Sequence, residues 1–238
     1  TKQQLLIETR LSKEWINESL ISKTSKGGKS YMREELLQSY KEKLLNSVER
    51  RNLNGIPIVL DLCWGSSTIC AAQIFESLGA NLTIINGEPN GDLINVNCGS
   101  TYLKPLQKAV LNANATMGFA FDGDADRMLA IDEKGRIIDG DHVLYLWGST
   151  LQNQGKLPKN KLITTVLSNL GFEAAWKERG GLLERTPVGD QNVHEAMIAT
   201  GAALGGEQSG HILSAEHGYC GDGILTALQI ATICNEQN

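Results

Sequence analysis

Asp122, Asp124 and Asp126 occupy alternate positions in Phe121-Asp122-Gly123-Asp124-Ala125-Asp126-Arg127, directly after the apolar run Met117-Gly118-Phe119-Ala120-Phe121. Gly123 permits a tight backbone, so the three side chains can converge on one point. Convergence is costly: two like charges ~4 Å apart repel by about 4 kcal/mol at an effective dielectric of ~20. Either a carboxyl pKa rises or a cation sits among the oxygens. An all-oxygen donor set suits a hard ion, which makes Mg²⁺ the natural candidate, although carboxylate count alone leaves Ca²⁺ and Mn²⁺ open. Counted as an EF-hand, the same loop places Glu133 at the twelfth position. The sixth position, which needs glycine, is Arg127, and the flanks read as strands where helices are required. An acidic surface turn holding no ion is the remaining alternative.

A second cluster is Gly205-Gly206-Glu207-Gln208-Ser209-Gly210-His211. An acid, an amide, a hydroxyl and an imidazole stand among small residues, a pattern suited to sugar hydroxyls approaching a glycine-lined loop. The competing reading is an ordinary turn in which Ser209 or His211 caps or packs. Two further loops carry acids. Asp190, in Thr186-Pro187-Val188-Gly189-Asp190, is expected to cap a helix, and Asp222, between Gly221 and Gly223, suits the N-terminus of a closing helix.

The elements that must position these loops follow from periodicity. Residues 1–54 are polar and helical in pattern, with a cap candidate at Ser12, a Lys/Gly/Ser loop at 22–30 and a helix near 33–50 carrying Leu36, Leu37, Tyr40, Leu44 and Leu45. Gly27-Gly28-Lys29-Ser30 lacks the leading glycine of a phosphate loop, since position 23 is Lys23. Beyond Gly55, strands at 57–61, 81–85, 117–121, 127–132 and 136–138 alternate with helices near 68–78 and 102–113. A second run follows: a helix at 141–153, strands at 161–166, 181–186 and near 201–206, helices at 171–179 and 193–200, and a closing helix at 221–235. Strand and helix alternation predicts α/β layers around largely parallel sheets.

Lys plus Arg is 22 against 27 Asp plus Glu, a formal net charge of −5 that argues against a nucleic-acid or anionic-membrane surface. No apolar run approaches the ~18 residues that span a bilayer, and there is no signal-peptide architecture, so the expectation is cytoplasmic. Cys63, Cys70, Cys98, Cys220 and Cys234 lack CxxC spacing and read as reduced, mostly buried thiols. The triplets at Asn17, Asn81 and Asn114 are chance glycosylation matches. Glycine, 25 of 238 residues against a usual ~7%, directs attention to glycine-flanked loops. The chain starts at Thr1 and is expected to be a piece of something longer.

Together these segments resemble the α-D-phosphohexomutase superfamily, and within it the glucosamine branch. DGDADR (122–127), led in by Ala120-Phe121, is similar to the family's metal loop, and GEQSGH (206–211) to its sugar loop, with Gln208 fitting the glucosamine branch. Asn97-Cys98-Gly99-Ser100-Thr101 resembles a segment of that branch, and LSNLG (167–171), RTPVGD (185–190) and GDG (221–223) match the other landmarks. The likeness runs from about residue 50 to 235.

The resemblance implies four domains around one cleft: a serine loop carrying a phosphoryl group, an Mg²⁺ domain, a sugar domain and a phosphate-binding domain. Here no Pro follows an Asn, so the serine loop of the Ser-x-His-Asn-Pro kind is missing, as is the phosphate-binding loop beyond the third domain. The implied fold class is α/β, with two consecutive three-layer α/β/α domains of mixed, largely parallel sheets. Residues 51–147 are expected to be the metal-binding domain and 148–238 the sugar-binding domain, preceded by a helical remnant of a first domain at 1–50. The implied chemistry interconverts glucosamine 6-phosphate and glucosamine 1-phosphate through a phosphoserine and a 1,6-bisphosphate. Asp122, Asp124 and Asp126 would hold Mg²⁺, Arg127 would sit near the phosphoryl oxygens, and Glu207 and Ser209 would bind sugar hydroxyls. The implied partners are a hexosamine phosphate and the missing first and fourth domains, with neither nucleic acid nor membrane. The alternatives are a mannose or glucose phosphate mutase of the same superfamily, or a non-catalytic metal- or sugar-phosphate-binding module.

Overall fold

Short β-branched and aromatic runs separated by amphipathic helices build two mixed sheets, seen in a computed structural model that describes residues 3, 5–9, 29–49, 51–218 and 220–236. The expected cap at Ser12 and the expected loop at 22–30, as far as residue 28, lie outside the described residues. The chain divides into two compact units, 1–37 and 38–238. In the first, residues 5–9 are helical, and the Thr9 hydroxyl donates to the Leu5 carbonyl at 2.6 Å. Helix α1 is Glu34–Ser47, with Leu44 and Leu45 buried.

The first sheet has strand order β2-β1-β3-β4-β5, with β1 Pro57–Asp61, β2 Asn81–Ile85, β3 Met117–Phe121, β4 Met128–Asp132 and β5 Ile137–Ile138. β1 pairs in parallel with β2 and β3, while β4 and β5 run antiparallel. β3 is buried at all five positions, as a central strand covered on both faces should be. On one face Val59, Ala120 and Ile131 pack under Leu106 and Val110 of α3 (Lys104–Asn112). Gly118 lies there because a Cβ would stand 2.4 Å from Val110 Cγ2. On the other face Phe119 meets Phe75 of α2 (Ala71–Ser77), ring centroids 5.9 Å apart.

The second sheet, order β7-β6-β8-β9, contains β6 Lys161–Thr165, β7 Leu182–Thr186, β8 Leu204–Gly206 and β9 Ile212–Ser214. α6 (Asp190–Thr200) covers one face with Val193 and Met197 against Ile163 and Leu213. α4 (Gly140–Asn153) and α5 (Leu170–Glu178) lie on the other, where Gly148 approaches Leu162 and Trp176. Both sheets are therefore α/β/α layers. β9 is a strand that local pattern does not announce, since three residues give no detectable period. It makes β8 and β9 a hairpin, so GEQSGH is the hairpin loop.

α7, Gly223–Glu236, is buried at every position from Gly223 to Ile233. A helix apolar all round is one enclosed on all sides. α7 packs on β3 and β4 of the first sheet and on α4 of the second layer. Asp222 caps it, accepting from Leu225 N at 2.9 Å, as expected of the acid at its start, and also accepts from Tyr40 Oη at 3.0 Å.

Asp61, fully buried at the end of β1, organises the loops that follow the parallel strands. Its Oδ1 accepts from Cys63 N at 3.0 Å and Asn86 Nδ2 at 2.9 Å, and its Oδ2 from Gly99 N at 2.9 Å. Asp61→Ala leaves those three donors without an acceptor, and urea unfolding should show a loss of about 3–5 kcal/mol. An unchanged midpoint would contradict the clamp.

Candidate functional site

The loop after β3 and the loops after β6, β7 and β8 open at the carboxyl ends of parallel strands, the usual place for a site in an open α/β sheet. Asp122, Asp124 and Asp126 offer oxygens within 4.8 Å of one another, so the expected convergence is present. At that spacing each charged pair repels by about 3–4 kcal/mol at an effective dielectric of ~20. Burial pushes the Asp122 carboxyl up to about 6, reinforced by the Asp126 and Asp124 charges and opposed by the Arg127 N–H, which donates to Oδ1 at 3.2 Å. Arg127 Nε stands 3.8 Å from Asp122 Oδ2 and 3.7 Å from Asp126 Oδ1. Asp126 Oδ1 is buried without a hydrogen-bond partner. Converging carboxylates with an orphaned oxygen fit a hard divalent cation.

The backbone reason for convergence differs from the one expected. Ala125, not Gly123, takes the left-handed turn, with φ +61°. Gly123 is needed because a Cβ would lie 2.4 Å from Ile94 Cγ2. Other segments support the loop from behind. Ser66 N donates to Gly123 O at 2.9 Å, Gly223 N to Ala125 O at 2.8 Å, and Met128 N to Gly210 O at 3.1 Å. A Cβ at Gly210 would come within 2.3 Å of Met128 O, and one at Gly223 within 2.5 Å of Arg127 O. The carboxylate loop and the GEQSGH hairpin are thus packed backbone on backbone.

Within the hairpin, Glu207 Oε1 accepts from Gly189 N at 3.0 Å, joining GEQSGH to RTPVGD. Gln208 Nε2 donates to Asp139 Oδ2 at 3.0 Å, while Gly140 N donates to Gln208 O at 3.0 Å. Glu207, Gln208 and Ser209 line one cavity of about 490 Å³ together with Arg127, Asp139 and Thr165. The LSNLG loop beside it is fixed by Asp141, which accepts from Ser168 Oγ at 2.6 Å and Asn169 N at 2.7 Å. Arg185 Nη1 donates to Ser168 O at 2.9 Å.

Asp190 is no cap. α6 starts at Asp190 with Gly189 as its capping residue, and no side chain caps it, because Gly189 at φ +123° puts the acid one position inside the helix. Its Oδ2 lies 4.0 Å from Nε2 of buried His211, whose Nδ1 is 3.2 Å from Asp126 Oδ2. No local pattern pairs His211 with Asp126, since their contact depends on how the two sheets meet. Asp139 was also missed, though an acid before Gly140 at a strand-to-helix junction is a capping signal. Cys63 and Cys98 are free, buried and 3.7 Å apart at sulfur, with Cys70 also free and buried, as expected of reduced thiols.

Residues 37–135 match the family model for phosphoglucomutase/phosphomannomutase alpha/beta/alpha domain II, and residues 139–238 match domain III. The chain is 67% identical over 214 residues to a phosphoglucosamine mutase of Parasynechococcus marenigrum, covering 90% of this chain and 46% of that one. It is 61% identical over 233 residues to a phosphoglucosamine mutase of Prochlorococcus marinus, covering 98% and 50%. The chain spans about half the length of these curated relatives. A crystal structure of a phosphoglucomutase/phosphomannomutase family protein from Burkholderia thailandensis superposes with a TM-score of 0.78 at 26% identity, covering 95% of this chain and 48% of that one. The fold is shared too with Aspergillus fumigatus N-acetylphosphoglucosamine mutase in complex with GlcNAc-6P and magnesium, at TM-score 0.68 and 23% identity over 84% of this chain and 51% of that one.

Two outcomes are expected of the carboxylate loop. Asp124→Asn should weaken Mg²⁺ affinity by about tenfold or more in calorimetry, since one of three charges is lost. In metal-free buffer, Asp122 binds its proton more tightly folded than unfolded, its pKa rising from 3.8 to about 6. Stability should therefore be fullest below the lower value and fall as pH rises through the upper one. Thermal melts in chelator at pH ~4.5 and ~7.5 should show this fall in the wild type and a smaller one in Asp122→Asn.

Proposed function

The chain belongs to the phosphoglucomutase/phosphomannomutase family, and on that premise we propose that it forms the metal- and sugar-binding half of a mutase interconverting glucosamine 6-phosphate and glucosamine 1-phosphate. The observation that carries this reading is the packing of the carboxylate loop on the GEQSGH hairpin, with Arg127 of the former and Glu207, Gln208 and Ser209 of the latter lining one cavity of about 490 Å³. The amino sugar is supported by the phosphoglucosamine mutases to which the chain is 67% and 61% identical. In this reading residues 51–147 form the metal-binding domain and 148–238 the sugar-binding domain, with 1–50 the tail of a preceding one. The reaction runs through a phosphoserine and a 1,6-bisphosphate, supplies amino sugar for cell-wall precursors and belongs in the cytoplasm.

Asp122, Asp124 and Asp126 would hold Mg²⁺, which when bound supplies charge neutralisation for the phosphoryl group in transit. Arg127, a half-exposed guanidinium on the cavity wall, binds phosphoryl oxygens and holds them in line. Glu207 uses one oxygen on Gly189 N, which leaves the other to accept from a sugar hydroxyl. Ser209 on the same wall binds a neighbouring hydroxyl. Hydroxyl contacts of this kind suit both orientations of a hexose whose phosphate changes position, so positioning carries much of the catalysis. The phosphate-carrying serine is assigned to no residue of this chain.

Two measurements test the proposal. The 238 residues alone should convert no glucosamine 6-phosphate, and detectable turnover would refute the division of labour. A protein of the relatives' full length containing this chain should favour glucosamine 6-phosphate over mannose and glucose phosphates. Equal or reversed preference would support the phosphomannomutase or phosphoglucomutase reading, and binding without turnover would support a non-catalytic module.

A further inference from the structure

Asp222 stands between two glycines that touch the carboxylate loop. A Cβ at Gly221 would come within 2.7 Å of Asp126 O, and Gly223 N donates to Ala125 O at 2.8 Å. Ala125 takes the left-handed turn, at φ +61°, between Asp124 and Asp126, whose oxygens converge with those of Asp122. Alanine resists that region because its Cβ crowds the following carbonyl, so an outside restraint must hold it there. The Gly223 N–H is such a restraint, and its aim depends on the residue before it. Asp222 Oδ1 accepts from Leu225 N at 2.9 Å, and the Asp222 carbonyl accepts from Thr226 Oγ1 at 2.8 Å, which fixes the first turn of α7. The other carboxylate oxygen, Oδ2, accepts from Tyr40 Oη at 3.0 Å. Tyr40 lies on α1, in the part that belongs to the unit 38–238, and is 182 residues away in sequence. Its phenol keeps the proton it donates, because burial and then the Asp222 charge push its pKa above the usual range. Among the described residues no other side chain donates to this carboxylate.

We infer that Tyr40 is a positioning residue for the metal loop: its hydroxyl, acting through Asp222 and the Gly223 N–H, holds Ala125 in the turn that gathers the three carboxylates. Without that hydroxyl, Asp222 Oδ2 is short of a donor in a partly buried place and must shift to reach water. The Gly221-Asp222-Gly223 backbone shifts with it, and Ala125 relaxes toward a conformation that alanine prefers. The carboxylates then spread, and a cation among them is held less tightly. The inference rests on the proposed metal role of Asp122, Asp124 and Asp126. It ties their affinity to a helix that, in the same reading, closes the tail of the preceding domain.

The test is calorimetric titration of the chain with Mg²⁺, at a temperature where thermal melts show every variant folded. Tyr40→Phe, which removes one oxygen and keeps the ring, should weaken Mg²⁺ binding about threefold to tenfold. Asp222→Ala should weaken it at least as much. Adding Tyr40→Phe to Asp222→Ala should weaken it no further, because the hydroxyl acts only through that carboxylate. Gln229→Met is the control. Gln229 Nε2 donates to Ser47 O at 3.0 Å, a second bond between the same two helices, about two turns along α7 from Asp222. This variant should melt at a lower temperature and keep the wild-type Mg²⁺ affinity. A merely structural role for Tyr40 would lower the melting temperature of Tyr40→Phe and leave Mg²⁺ affinity unchanged, which would overturn the inference. An equal loss of affinity in Gln229→Met, or additive losses in the double variant, would overturn it too. Those results leave the metal role of the carboxylates standing, whereas a wild type that binds no Mg²⁺ refutes that role and the inference together.

Discussion

Like-charge repulsion governs the architecture of this chain. A loop that gathers three carboxylates within 4.8 Å cannot be held by attraction between its own side chains. Arg127 relieves part of the repulsion, from 3.7 and 3.8 Å. The remaining restraint is backbone hydrogen bonding from segments far apart in sequence: Ser66 and Gly223 donate to the loop, and Met128 at its end donates to Gly210. Such bonds require chains to cross at distances where a Cβ would collide, and glycine stands at the crossings. The abundance of glycine therefore reflects close approach of backbones as much as tight turning.

Much of this was legible in the sequence because it depends on local pattern. The strands 57–61 and 117–121 fall at the expected residues because buried parallel strands read as continuous apolar runs, and 81–85 falls there too although it is a largely exposed edge strand. The carboxylate triplet announced itself by spacing. What escaped was anything decided by tertiary contact. β9 is too short for periodicity, and the role of Gly123 depends on Ile94 approaching from another loop. Asp190 looked like a cap because caps are read from residue type, whereas the actual helix start depends on the backbone at Gly189. The Asp139–Gln208 contact joins residues 69 positions apart, and no local signal could announce it.

The acids also divide by task in a way that composition conceals. Asp61, Asp141 and Asp222 direct their oxygens at backbone donors and fix loops or helix ends. Asp122 is pushed up in pKa chiefly by burial, with the neighbouring Asp126 and Asp124 charges adding to it, and Asp126 keeps an orphaned oxygen. An acid already supplied with donors is structural, and one left short of them is available for a ligand.

The enclosure of α7 has a consequence for synthesis. This helix covers β3 and β4, strands translated roughly a hundred residues earlier. At ~5–20 residues per second, several seconds separate emergence of those strands from emergence of their cover. During that interval the apolar face of the first sheet is open to chaperones and to other nascent chains. Completion of the first sheet's core is therefore a late event in folding, although most of its strands are made early.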